Sequence, residues 1–292
     1  MAGFSVIDAA LEGVRLTREK PRTVLLWGAY YIAFLIVLEF IAYYTLGGQS
    51  TQLLATMRTP PTEPAALQRL INTVLPFMLA AGAVGLLFQA MLTAAIYRHI
   101  LRPGEPRSGL RFGMDELRLL AVFGVLLLVL VAMVFVVQMA VLTTAGLPDT
   151  APSVFFADLV VLASWCAGAA VLVRLSLSGA ATIARKRLAI MDGWRLTQGQ
   201  FWRLLVTYAL ATVLSLVVLF LMQVVLGAVF ELLNHVPGMA VGGPGGGGPA
   251  ALVASLVLVV LVSLIGTCFH VILLAPPASA YAALTGGAAE PA

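Results

Sequence analysis

An all-α membrane fold is predicted: a bundle of six transmembrane helices, arranged as three hairpins, each preceded by a cytoplasmic interfacial amphipathic helix. Three observations predict it. Of the 292 residues, 61% are hydrophobic and 10% charged, with a mean hydropathy of +1.02, whereas a soluble domain carries about 25% charged residues. The apolar residues gather in six runs, each long enough to cross a hydrocarbon core, which takes about 20 helical residues. Fifteen of the seventeen Lys and Arg residues fall on one side of those runs.

The first segment is amphipathic. Phe4, Ile7, Leu11 and Val14 share one helical face, and Asp8, Glu12, Arg15 and Glu19 the other, the pattern of a helix lying in the membrane interface. Its charges interrupt any apolar signal-peptide core, so the segment is expected to stay in the mature protein. The spans are placed near residues 23–46, 72–97, 119–144, 154–176, 203–232 and 250–275. They are helices because lipid cannot satisfy free backbone N–H and C=O groups, and the runs are too long for barrel strands. Before the second span, Pro60, Pro61 and Pro64 predict a turn and a short helix through Ala65, Leu67 and Leu70, with Pro76 marking a kink or the membrane entry. Between the last two spans, Gly242 to Pro249 reads as a flexible linker. It lacks the Lys-Ser/Thr of a phosphate-cradling loop.

Orientation follows from the basic residues. Arg58 and Arg69 alone lie opposite the rest, which puts both termini in the cytoplasm of a bacterial inner membrane. With its acids included, the cytoplasmic face carries +7, although the whole chain carries only +4.

A repeat emerges from the cytoplasmic segments. Glu12-Gly13-Val14-Arg15-Leu16-Thr17 and Asp192-Gly193-Trp194-Arg195-Leu196-Thr197 match at a spacing of 180 residues. Each is followed by an arginine that opens a span, Arg22 or Arg203, and a fainter copy, Gly109-Leu110-Arg111-Phe112, precedes Arg118. The chain is therefore read as one membrane domain over 1–292, built from repeats at about 4–97, 105–176 and 183–276. In the third copy Leu188, Met191 and Trp194 are expected on the apolar side, with Asp192 and Arg195 on the wetter side.

The run Val173-Arg174-Leu175-Ser176-Leu177, followed by Gly193-Trp194-Arg195-Leu196-Thr197-Gln198-Gly199-Gln200-Phe201-Trp202-Arg203, resembles a stretch of uncharacterised bacterial six-helix membrane proteins. These are similar to the membrane domain fused to some glycerophosphoryl diester phosphodiesterases. The chain departs from that pattern at Gly193, where serine is usual, and at Gly179-Ala180, where a proline often sits. No segment could fold into the fused enzymes' catalytic barrel, so the resemblance implies a membrane module and not a phosphodiesterase.

Chemistry-bearing constellations are sparse. His99, His235 and His270 fall at predicted inner, outer and inner span ends, without metal-site or nucleophile spacing. Cys166 and Cys268 sit inside apolar runs and are read as small buried hydrophobes. No catalytic residue, metal or cofactor is assigned. Two candidate sites remain. Arg15, Thr17, Arg111, Arg195, Thr197 and Arg203 are candidate lipid-head-group or repeat-motif contacts, with orientation alone as the plainer explanation. Glu39, Gln138, Asp158, Arg174 and Glu231 are candidates for an intramembrane polar site, the acids mapping to the outer third, with interfacial caps and pairs as the alternative. Arg174 either snorkels to the inner interface or lies deep with a partner, depending on where its helix ends. Gln89, Gln138 and Gln223 are candidate interhelical hydrogen-bond partners, and Ala163, Ala167, Gly168 and Ala170 would permit close packing. The expected function is a non-enzymatic scaffold or accessory factor that meets membrane lipids, anionic ones included, a membrane-protein partner or its own copy, and no nucleic acid. The alternative is a small-solute or ion transporter with an outward-facing acidic vestibule.

Overall fold

The computed structural model describes residues 5–46, 63–102, 110, 112–144, 151–236 and 249–286, and every regular element among them is a helix. In chain order these are α1 (Val6–Glu19), α2 (Pro21–Leu46), α3 (Pro64–Leu101), α4 (Met114–Thr144), α5 (Ala151–Leu175), α6 (Ser178–Arg185), α7 (Ile190–Leu196), α8 (Phe201–His235) and α9 (Pro249–Leu284). Six helical stretches are long and apolar enough to cross a membrane: α2, α3, α4, α5 running on into α6, α8 and α9. The protein is a multi-pass, all-α integral membrane protein.

Local chemistry sets the helix limits. Pro21 and Pro249 open α2 and α9, where the missing N–H is no loss. The short helix expected before the second span is instead continuous with it, and α3 runs through Pro76. That proline deprives Asn72 O of its donor, which a membrane helix tolerates when side chains take up the freed groups. Nearby, Gln68 donates to Asn72 Oδ1 at 3.0 Å and Thr73 Oγ1 to Arg69 O at 3.0 Å. Likewise α9 passes through Pro276 and Pro277 to Leu284, well past the expected end near 275, so His270 lies inside the helix and not at its end. The α5–α6 break at Ser176 and Leu177 has a visible cause. Ser176 Oγ turns back on Val173 O at 2.7 Å and meets Tyr208 OH at 2.6 Å. After α6, Lys186 adopts φ 53°, a left-handed helix end.

Packing divides into two compact units, both assembled from separated pieces of chain. The first takes residues 1–13, 90–212 and 272–292, the second 14–89 and 213–271. In the first, α4 packs on α5 and α6, and α7 on both α5 and α6. A Cβ at Gly179 would lie 3.1 Å from Tyr97 and 3.2 Å from Leu119, so this glycine fits α6 against two buried side chains. Met133 reaches so far over Gly168 that a Cβ there would overlap its sulfur, and the small residues of α5 admit that approach. In the second unit Trp27 is wholly buried. Phe34 stacks on Phe88 with centroids 4.1 Å apart, and Tyr31 meets Phe88 at 5.3 Å and His270 at 5.5 Å. Cys166, expected inside, is exposed and Cys268 is half-buried. A span's apolar residues can satisfy the hydrophobic requirement against acyl chains, so apolar neighbours in sequence do not imply burial in protein.

Candidate functional site

The repeat motif folds into a tight corner in the first unit. Gly193 on α7 sits directly on α6: a Cβ there would come within 2.6 Å of Ser178 N and 2.7 Å of Ser178 Cα. Only hydrogen fits, which accounts for glycine at this position. Three side chains lock the corner. Ser178 Oγ donates to Ile190 O at 2.9 Å, and Ala189 N–H donates to Thr182 Oγ1 at 3.2 Å. Thr197 Oγ1 donates to Trp194 O at 2.8 Å, with Arg174 O as a second acceptor at 3.3 Å. Asp192 receives Arg185 at 2.6 Å and Arg187 at 3.2 Å. Arg174 lies with its guanidinium carbon 5.0 Å from the Trp194 ring centroid, a cation–π contact worth about 0.5–2 kcal/mol. No acidic partner of Arg174 is found among the described residues. Since its carbonyl is level with Thr197, four residues ahead of the start of α8, Arg174 stands where the chain enters the next span.

Around this corner several apolar side chains are bare. Leu188 is 55%, Met191 70% and Trp202 73% exposed, and Lys186, Arg195 and Arg203 are exposed beside them. Helix α1 shows a related arrangement. Ala9, Ala10, Gly13 and Leu16 are buried, Ile7, Leu11 and Val14 are exposed, and Asp8, Arg15 and Glu19 are exposed too. At the 180-residue spacing Ala9 and Ala189 are both buried, as are Gly13 and Gly193, while Leu11 and Met191 are exposed, as are Arg15 and Arg195. The arginines differ in one respect. Arg15 Nε lies 3.3 Å from Glu19 Oε1, whereas the position four residues after Arg195 is Gly199. Thr197 is buried and Thr17 half-buried. Arg111, the third motif arginine, lies outside the described residues.

Charge counting alone misses the densest polar feature of the same unit. Arg98 lies in the last turn of α3 and Arg102 directly follows it, while Asp115 and Glu116 begin α4. Arg98 Nη1 lies 2.5 Å from Glu116 Oε1, with side-chain exposures of 1% and 0%. Asp115 takes Arg102 at 3.3 Å and Arg118 at 3.2 Å, with Arg98 at 4.0 Å. Glu116 also accepts the Gly113 N–H at 2.9 Å, the back-reaching half of a helix cap. Both acids stand in the first turn of α4, where the helix dipole favours negative charge. Arg102 further donates to Ile183 O of α6, so the network ties the end of α3 to α6. A signal existed in the sequence: two arginines four residues apart facing an Asp-Glu pair across a short loop.

Of the residues expected to form an intramembrane polar site, all but the half-buried Arg174 are found on surfaces. Glu39, Gln138 and Asp158 are exposed. Glu231 is 71% exposed beside His235 at 3.8 Å. Gln223 is exposed and Gln89 half-buried. Among the described residues, no three or more His, Cys, Asp and Glu side chains gather as a metal site would need. An apolar groove of about 500 Å³ runs between α4 and α5, lined by Met133, Ala163, Ser164, Ala167 and Gly168 among others.

Compared with protein-family models, characterised proteins and solved structures, the chain matches none.

Proposed function

We propose that the protein is a non-enzymatic scaffold or accessory factor of a bacterial inner membrane, both termini cytoplasmic, whose interfacial helices engage phospholipid head groups or the membrane-embedded part of a partner. The observation that carries this reading is the three-sided character of α1. One side is buried, a second presents bare Ile7, Leu11 and Val14, and a third is charged. A helix packed on its own protein with an apolar stripe left bare suits the boundary between water and acyl chains. The corner at 186–203 supports the same role, with exposed Leu188, Met191 and Trp202 beside exposed basic residues. The matched burial at the 180-residue spacing supports an internal repeat, and Val173–Leu177 with Gly193–Arg203 supports kinship with the six-helix family.

Orientation is tested by reporter fusions. Fusions after Arg107, Lys186 and Ala292 are expected in the cytoplasm and those near Pro61 and Gly245 outside, and a cytoplasmic Gly245 would end the six-span topology. The lipid reading is tested by exchange of arginine for lysine. A charge serving only orientation survives the exchange, because the positive-inside rule counts charge and not geometry, whereas lysine cannot reproduce the planar fork on a phosphate. Arg195→Lys is expected to lower retention of anionic lipid through purification, while Arg107→Lys, outside the motif, leaves it unchanged. Equal retention in both variants would reduce the motif to a topological signal. Solute flux in proteoliposomes that depends on Glu39 or Asp158 would favour transport instead.

A further inference from the structure

We infer that Arg174 and Trp194 form a defined site for the phosphate of one anionic phospholipid, a deeper statement that rests on the lipid-engaging role proposed above. Arg174 ends α5 within the span that runs from Asp158 to Arg185, and it is half-buried. Other arginines of this unit are paired: Arg98 with Glu116, Arg102 and Arg118 with Asp115, and Arg185 and Arg187 with Asp192. Among the described residues Arg174 has a ring in place of an acid. An indole face stabilises a cation without neutralising it, so the positive charge is left for an anion to meet where the chain enters the next span.

The guanidinium's own geometry suits that anion. A guanidinium laid 5.0 Å over the ring keeps its N–H donors in its own plane, the arrangement that grips two phosphate oxygens at once. The platform beneath is fixed. Trp194 belongs to α7, held on α6 by the contact of Gly193 with Ser178, and Thr197 spans the carbonyls of Trp194 and Arg174. Trp202 and Met191, 73% and 70% exposed, flank the corner as acyl-chain contacts. Exposed Lys186, Arg195 and Arg203 add positive charge, which selects an anionic lipid over a zwitterionic one.

The test is native mass spectrometry of the full chain in neutral detergent, titrated with phosphatidylglycerol, with phosphatidylcholine of the same acyl chains, and with inorganic phosphate. The wild-type protein is expected to hold one phosphatidylglycerol in preference to phosphatidylcholine. Arg174→Lys and Arg174→Gln are expected to weaken it about tenfold, the loss that corresponds to one good contact, while Arg69→Gln, in the second unit, stays within about twofold. If Arg174→Gln fails to elute as a single monodisperse species, Arg174→Lys, which keeps the charge, carries the test. Unchanged lipid affinity in a folded Arg174 variant, against a selective wild type, overturns this site and leaves the lipid-engaging role standing. Displacement of the lipid by millimolar inorganic phosphate overturns it in favour of a soluble anion. A wild-type protein with no lipid preference overturns both.

Discussion

Glu116→Ala is expected to destabilise the protein by about 3–5 kcal/mol, the cost of removing one member of a buried ion pair. The partner left behind is Arg98, 1% exposed and 2.5 Å from the lost carboxylate. Asp115 cannot replace it, since it stands 4.0 Å from Arg98 and already serves Arg102 and Arg118. The Gly113 N–H at the start of α4 loses its acceptor as well. Arg98→Ala fails for the mirror-image reason, leaving Glu116 wholly buried with no counter-charge at that distance. Replacing both by leucine is expected to cost less than either single change, because an apolar pair needs no desolvation of charge. Reversible unfolding in mixed micelles measures all three variants. A Glu116→Ala protein within about 1 kcal/mol of wild type would mean that the pair is not closed in the membrane.

The second large effect belongs to Gly193. Alanine there places a Cβ 2.6 Å from Ser178 N and 2.7 Å from Ser178 Cα, contacts with backbone that no rotamer change can relieve. Overpacking of this kind costs about 1–3 kcal/mol, and here it also prises α7 from α6. Gly124→Ala and Gly227→Ala, where a Cβ meets nothing within 4 Å, are the controls and should be neutral or slightly stabilising, since alanine favours helix by about 1 kcal/mol over glycine. A melting temperature for Gly193→Ala equal to that of the controls would show that the corner opens in solution. The motif's glycine is thus explained by close approach, independently of any ligand its arginine holds.

The spans were legible because the membrane imposes one rule, a run of apolar residues long enough to cross, and composition alone records it. Their ends were not. The helix expected from Ala65 was read as short and Pro76 as a kink or the membrane entry, yet α3 runs from Pro64 to Leu101, and Pro276 and Pro277, past the expected end near 275, stand inside α9. In a membrane helix the local cost of proline competes with the larger cost of leaving backbone groups unsatisfied in lipid. The motif glycines and threonines were visible as a repeat, but why Gly193 is glycine needed the distance to Ser178. Arg98, Arg102, Asp115 and Glu116 were visible only as charges on one side of the membrane. Their pairing depends on the end of α3 meeting the start of α4, which a count of charges ignores. Cys166 shows the opposite error, since an apolar neighbourhood in sequence predicted burial and the residue is exposed.

Neither compact unit is a continuous stretch of chain: one draws on residues 1–13, 90–212 and 272–292, the other on 14–89 and 213–271. Domains made of contiguous chain can fold one after another as the ribosome delivers them. Here α9 supplies residues to both units, so both wait for it, and α2 and α3 must persist in the bilayer as helices with incomplete neighbours while the rest is made. Insertion and assembly are therefore separate stages in time, and a ribosome stalled before α9 would leave spans that are inserted but unfinished, open to quality-control proteases at every unfilled contact.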